Sequence, residues 1–402
     1  MPAAGGRATY LFWRMPRPLQ RRSFQDARFL IVSSMDGSKN RKSWRAAFGL
    51  LAMMALAASS AAGADLYGML PMRDLSPFGF LRLDMRPTHA VLAEPGRWTL
   101  ETEFATQNTW AMSPQVEEYL TGLETSGRRP LGVSELAAIR GLPGENYLVD
   151  LETTTVDVTL NYRLTSHLSG YLITSAVSYD RGFLDGAVER FHDTFALSSY
   201  GRPAIARNGV NLIYDLKSGS YASLGRSPTS GGLLDPTLGM RYSGIPLGRS
   251  WQLSLEGAVK LALGGERQLL STGRSDFGLQ AAAQWRGARQ AFYANAAAVY
   301  YAGGEFLVEH ETQIVPTLIV GYEYALTANT NLNIQGYAST SVYSRRDTEL
   351  DELLENKYQL TAGFRHRRND LVVSFGITEN VQNINNTPDI GLQLGLSWIP
   401  GR

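Results

Sequence analysis

The sequence predicts an all-β fold: a transmembrane, antiparallel, up-and-down β-barrel of about fourteen strands, with twelve to sixteen allowed, and short helices in long outer loops. Three observations predict it. From about residue 97 onward, stretches roughly nine to eleven residues long carry an apolar side chain at every second position. The connections between them alternate short and long. Aromatic residues gather at the strand ends, where an interfacial girdle places them. The last stretch shows the alternation most clearly, with Leu392, Leu394, Leu396 and Trp398 on one face and Gln393, Gly395 and Ser397 between them.

Composition conceals this architecture. Charged residues are 19% and the formal net charge is +1, and mean hydropathy is −0.17. Half of each barrel strand faces a polar lumen, so no long apolar run is required. A near-neutral chain without a basic run in its mature part does not fit a nucleic-acid binder. With no cysteine, disulfides, thiolate metal sites and cysteine nucleophiles are excluded.

Taken in order, residues 1–34 resemble no targeting segment, and Met35 stands just ahead of a basic cluster, which points to a start placed too far upstream. Lys39, Arg41, Lys42 and Arg45 precede an apolar run from Ala46 to Ala58, and Ala62-Gly63-Ala64 offers a small-x-small cleavage site before Asp65. Residues 35–64 therefore read as a signal peptide. Segment 65–96 carries Pro71, Pro77, Pro87 and Pro95, which rules out a central strand; it is expected to plug the barrel or tether it. Residues 97–402 form the barrel.

Strands are read at 97–105, 152–163, 168–179, 208–217, 221–224 (weak), 236–244, 251–263, 276–286, 291–302, 316–326, 331–343, 357–366, 370–378 and 390–399. Losing or merging 221–224 would give twelve, and a strand at Phe78 to Leu83 would give sixteen. Short connections fall at 165–167, 218–220, 246–249, 287–289, 327–330 and 367–369, with long ones between. An even count leaves both termini on the periplasmic side.

The long segment 106–151 carries helix starts at Ser113-Pro114 and at Ser134. In 183–195, Leu184, Val188, Phe191 and Phe195 recur at helical spacing opposite Asp185, Glu189, Arg190 and Asp193. This amphipathic helix, with Phe183 and His192, is the candidate constriction if it folds into the lumen; the plainer alternative packs it on the barrel rim.

Inward positions include Glu101, Glu103, Asp157, Asp215, Glu256 and Glu323, and also Arg163, Arg241, Lys260, Arg286 and Arg365. Such balanced charge suits either a water-filled lumen of weak ion selectivity or a ladder of ion pairs filling a narrow barrel. The expected function is a passive outer-membrane channel or uptake pore for a small solute. The alternative is a closed structural or assembly barrel. A lipid-modifying enzyme is a weaker third reading: His167-Leu168-Ser169 has the spacing of a lipase pair, but it falls in a turn and Arg181 stands where an acid or amide is needed. The five histidines show no ligand spacing, so neither metal nor cofactor is expected. Expected partners are outer-membrane lipid and lipopolysaccharide, the barrel-assembly machinery and a small solute, without nucleic acid.

The stretch Gly182-Phe183-Leu184-Asp185, Val188-Glu189, Phe191-His192, Phe195, Arg202 and Arg207-Asn208 resembles the signature of a family of Gram-negative secreted proteins of unknown function. Leu70-Pro71-Met72-Arg73-Asp74-Leu75-Ser76-Pro77 and Gly231-Gly232-Leu233-Leu234-Asp235 extend the likeness across most of 65–400. The resemblance implies an outer-membrane barrel and supplies no catalytic residues. One departure is the end, where Ile399-Pro400-Gly401-Arg402 follows Trp398 in place of a terminal aromatic residue.

Overall fold

The computed structural model describes residues 65–400 apart from 75, 77, 89–93, 181, 196–197 and 383–389. The expected upstream start and the signal peptide lie outside the described residues.

Fifteen strands join in one antiparallel sheet. They are β1 (Trp98–Met112), β2 (Asn146–Arg163), β3 (Leu168–Asp180), β4 (Asn211–Leu216), β5 (Gly219–Ser223), β6 (Gly231–Leu233), β7 (Thr237–Leu247), β8 (Trp251–Lys260), β9 (Asp276–Arg286), β10 (Gln290–Tyr301), β13 (Gln313–Ala325), β14 (Thr330–Ser339), β15 (Lys357–Arg368), β16 (Leu371–Gln382) and β17 (Ile390–Trp398). A separate small hairpin, β11 (Gly304–Phe306) and β12 (Val308–His310), sits between β10 and β13. The pairing of β1 with β17 and of β2 with β3 closes twelve strands into a barrel, while β4, β5 and β6 extend the edges of β2 and β3.

The strands of the closed ring alternate between an outward and an inward face, with a bulge between Tyr242 and Ile245 in β7. Leu100, Phe104, Leu238, Met240, Leu279, Leu318, Val320, Val373 and Leu396 are exposed on the outer surface, while the intervening residues point inward. An apolar face of this extent would drive aggregation in water and is satisfied by lipid. Aromatic rings line up at the short-turn end: Trp98 lies 4.5 Å from Tyr162, Trp285 lies 5.7 Å from Phe292, and Phe292 lies 4.8 Å from Tyr322.

The count of about fourteen resolves to twelve for a specific reason. Stretches 208–217 and 221–224 form the hairpin β4–β5, which pairs with residues 146–150 of β2 beyond the belt. The turn at 218–220 is thus part of a long connection, leaving five short turns between barrel strands. Conversely, β1 and β2 run past their predicted ends, to Met112 and from Asn146. Trp110, Met112 and Leu148 are covered on one face by helices α1 (Pro114–Leu123) and α2 (Val133–Arg140). Ala111, Tyr147 and Val149 are covered on the other by residues that include Phe78 and Phe306. Burial on both faces removes the alternation that marks a strand in sequence. Two further helices follow: α3 (Asp185–Phe195) and the short α4 (Asp351–Leu354).

Residues 65–88 run through the barrel interior. Leu66, Met69 and Met72 pack against Tyr293, Ile319 and Tyr337. Phe78, Phe80 and Leu81 reach the long-loop end beside Tyr179, Tyr214 and Phe306. Leu83 and Met85 return against Val299, Tyr301 and Val315. The reversal is a 3-10 turn at Gly79–Leu81, entered through Phe78 in the left-handed region at φ 61°. A Cβ on Gly79 would stand 2.7 Å from the Asp74 carboxyl carbon, so a larger residue there would push the Asp74 side chain aside.

Candidate functional site

The barrel wall reads the backbone of the inner segment as much as its side chains. Segment 65–88 has no regular sheet partner, so its N–H and C=O groups need partners elsewhere. Glu323 on β13 accepts from the N–H of Tyr67 at 2.7 Å and of Gly68 at 3.1 Å. Gln335 on β14 accepts from the Leu70 N–H, and its amide donates to the Leu70 carbonyl at 3.2 Å. Arg365 on β15 donates to the carbonyls of Tyr67 at 2.6 Å and Met69 at 3.1 Å. On the returning limb, Asp276 accepts from the Leu83 N–H at 3.0 Å, and Tyr301 donates to the Leu83 carbonyl at 3.0 Å. Asn295 accepts from the Thr88 N–H at 2.8 Å.

Buried charge is paired across the same boundary. Arg73 grips both oxygens of Asp157 at 2.8 and 2.7 Å, and Arg86 reaches the same carboxylate at 2.6 Å. Lys357 pairs with Asp74. Lys260 pairs with Asp276 at 3.1 Å and donates to the Leu81 carbonyl at 2.9 Å. Glu256 holds Arg241 at 2.6 Å and accepts from Tyr171 and Thr88, each at 2.6 Å. Removing one member of such a pair strands the other away from water, a cost of about 3–5 kcal/mol.

The wall is also shaped to the segment. A Cβ on Gly321 would stand 2.6 Å from the Met69 sulfur, one on Gly278 2.5 Å from the Met85 sulfur, and one on Gly363 2.8 Å from Leu70 Cδ1. Three inward glycines thus make the recesses that three buried apolar side chains fill. The opposite side is looser. A cavity with about 70 Å³ open to the centre of a water molecule lies between the segment and β1, β2, β3, β7 and β8, lined by Arg86, Glu101, Tyr171, Arg241 and Glu256 among others.

Of the residues read from the sequence as lumen-lining, Glu103, Asp157, Arg241, Glu256, Lys260, Glu323 and Arg365 come together in this interior, and Glu101 borders the cavity. Both carboxylate oxygens of Glu103 are buried without a hydrogen-bond partner among the described residues. Arg286 reaches the Leu66 carbonyl at 3.3 Å near the short-turn end. Arg163 sits at the rim, donating to the carbonyls of Thr165 and Ser166. Asp215 is a correction: it lies on β4, outside the barrel wall, and accepts from Ser220. Sequence reasoning missed Asp276, Asn295, Gln335 and Lys357. The amides share the inward parity of the acids and could have been found by it; Asp276 and Lys357 open their strands, at boundaries that alternation defines poorly.

Helix α3 is a second correction. Its carboxylates bond to the outward face of β1 and β2 and to residues 128–208, not to the lumen. Asp185 accepts from Arg202 at 2.8 Å, from Asn108 at 2.9 Å and from the Asn208 N–H at 2.7 Å. Glu189 pairs with Arg128 at 2.6 Å and with Arg207. Glu152 accepts from the N–H groups of Phe183 and Leu184 at 3.0 and 2.9 Å. Asn108 and Glu152 share the parity of Phe104 and Val156, which face outward. The motif residues therefore form a clasp over the extension of β1 and β2, with Leu184 and Val188 buried, Phe183 exposed and His192 bonded to the Ser198 carbonyl at 2.8 Å. The side chains of Phe191 and Phe195 lie outside the described structure. No lipase pair forms at His167 and Ser169: His167 Nδ1 lies 2.9 Å from the Ser243 carbonyl, while Ser169 Oγ is buried without a partner among the described residues.

Residues 135–399 match a family described as "Protein of unknown function (DUF3187)". No curated protein matches the sequence. Among solved structures, an outer membrane channel from Pseudomonas putida F1 aligns at 12% identity over 78% of this chain and 98% of its own, with a TM-score of 0.47. The toluene transporter TodX of P. putida aligns at 11% identity over 77% and 91%, with a TM-score of 0.38. A FadL homologue of Pseudomonas aeruginosa aligns at 12% identity over 84% and 99%, with a TM-score of 0.31. At such identities no residue role carries over from them.

Proposed function

We propose that this chain, which belongs to the DUF3187 family, is an outer-membrane channel for a small solute, closed in this state by its own residues 65–88. The carrying observation is the form of the closure. A barrel that needed only a filled core could fill it with side chains from its own strands. Here the occluding material is one contiguous segment ahead of β1, held by hydrogen bonds and ion pairs that water could replace. The apolar belt and the aromatic girdle at the short-turn end support placement in a lipid bilayer, and the short turns then face the periplasm.

The competing reading, a closed structural barrel, draws support from the completeness of pairing at Asp157, Asp276 and Glu256. A removable lock separates the two. A cysteine at 69 would place its sulfur near the present Met69 Cγ, which stands 2.9 Å from the Cβ of a residue at 321, and the native chain has no other cysteine. The channel reading expects Met69→Cys/Gly321→Cys liposomes to exclude small sugars when oxidised and to admit them after reduction. Identical exclusion before and after reduction, with wild-type liposomes equally impermeable, supports the structural barrel.

A further inference from the structure

We propose that the long-loop end of the lumen contains a binding site for a small anion, a halide or a one-carbon carboxylate, centred on the guanidinium of Arg82. Arg82 is 8% exposed. Among the described residues its side chain forms no ion pair and no hydrogen bond, and its one close partner is the Tyr301 ring, 5.1 Å from Cζ. Of the other buried interior bases, Arg73 and Arg86 are matched by Asp157, Lys260 by Asp276, Lys357 by Asp74 and Arg241 by Glu256, while Arg365 donates to the carbonyls of Tyr67 and Met69. A guanidinium offers only donors and stays charged at any pH the protein meets. Buried without an ion pair among the described residues, it calls for an anion or water.

Arg82 faces two cavities. The outer one contains no carboxylate in its lining; its polar groups are Ser76, Arg82, Tyr214, Thr272, His310 and Tyr343. His310 is 7% exposed; its ring bonds the Phe306 backbone, and its Nδ1 has no hydrogen-bond partner among the described residues. Arg82 is thus the one charged side chain among the residues lining that space. The deeper cavity is lined by Arg73, Arg82, Arg86 and Lys260 with Asp84 and Asp235; of these bases Arg82 is the one that forms no ion pair among the described residues. Each cavity has about 20 Å³ open to the centre of a water molecule. That admits about one water-sized group, which limits the ligand to a halide or formate and excludes bulkier acids.

One wall of the outer cavity is the tip of the inner segment, Phe78 to Arg82, and the other is built from the loops carrying Phe306 and Tyr343. An anion bound there touches the element that closes the lumen. The inference rests on the channel reading for its bearing on transport, where it names the solute class; binding itself is independent of current.

Chloride is the probe, read by the excess broadening of its NMR line in a solution of the detergent-solubilised barrel at fixed ionic strength. The expected result is saturable broadening that formate displaces and its neutral analogue formamide does not. Arg82→Gln should reduce the broadening at least tenfold, while Arg346→Gln, at an exposed base outside the lumen, leaves it intact. Heat-modifiable gel migration verifies that each variant is folded, and if Arg82→Gln does not fold, the formate–formamide contrast on the wild type decides alone. Absence of saturable broadening in the wild type, equal displacement by formamide, or unchanged broadening in folded Arg82→Gln overturns the site. None of these results bears on the sugar-permeability test, so the two readings fail separately.

Discussion

The fully buried carboxylate of Glu323 accepts the backbone N–H groups of Tyr67 and Gly68. A barrel side chain therefore fixes the entry of the inner segment through its main chain, independent of the side chains that segment carries. Hydrogen bonds to a charged group contribute roughly 1.5–3 kcal/mol each. Glu323→Ala is expected to free the segment enough to raise maleimide labelling of a cysteine at position 72 by more than tenfold, with barrel migration on gels unchanged. Labelling at the wild-type rate would show that Glu323 is not what holds the entry.

Gly321 offers a steric test of the same closure. Valine there would occupy the recess of the Met69 side chain, and overpacking of a filled core costs about 1–3 kcal/mol. Because the outward face of β13 is untouched, the barrel should still fold while segment 65–88 is displaced. The check is again labelling at position 72, expected to rise in Gly321→Val and to stay low in Gly257→Ala, where an added Cβ meets only ordinary contacts.

The clasp at α3 predicts a loss elsewhere. Asp185→Ala removes the ion pair of Arg202, which lies buried beneath the helix 5.1 Å from the Trp110 ring and keeps its bond to Asn108, so the cost falls below the about 3–5 kcal/mol of a fully stranded charge. Hydrogen exchange should accelerate across residues 183–208, while sugar permeability remains as in the wild type. A permeability change without faster exchange would return α3 to the role of constriction.

His310, on the β11–β12 hairpin outside the membrane, gives a pH dependence. Burial, followed by the nearby Arg82 charge, pushes its imidazole down from an ordinary value near 6.5 to about 3. Above 6.5 the ring is neutral whether the hairpin is docked or free, and it contributes nothing. Below 6.5 only the free form takes up a proton, so docking is progressively lost as pH falls toward 3, by up to about 1.4 kcal/mol per pH unit. The protection factors of the amides at 304–310 should fall between pH 6 and 4, and His310→Phe should flatten that response. An equally steep profile in the variant would assign the effect to another group.

Alternation exposes the membrane strands because each has one lipid face and one lumen face, and it placed Glu256, Glu323 and Arg365 on the inside through parity alone. The same reasoning missed the ends of β1 and β2, where Trp110 and Tyr147 are buried on opposite faces and no polar side remains. It also gave Asp215 a lumen position, because an alternating hairpin outside the ring has the same period as a strand within it. The oily stripe of α3 was visible, but an amphipathic pattern states that a face is buried and not what covers it. Segment 65–88 is the least periodic part of the chain. Its prolines exclude a strand, while its partners, Gly321, Gln335 and Lys357, lie more than two hundred residues away.

Current across a planar bilayer tests the closure most directly, comparing the barrel with and without residues 65–88. The closed-channel account predicts that the intact protein opens rarely, and that the deleted form conducts steadily. Silence from a folded, inserted barrel lacking residues 65–88 would contradict it.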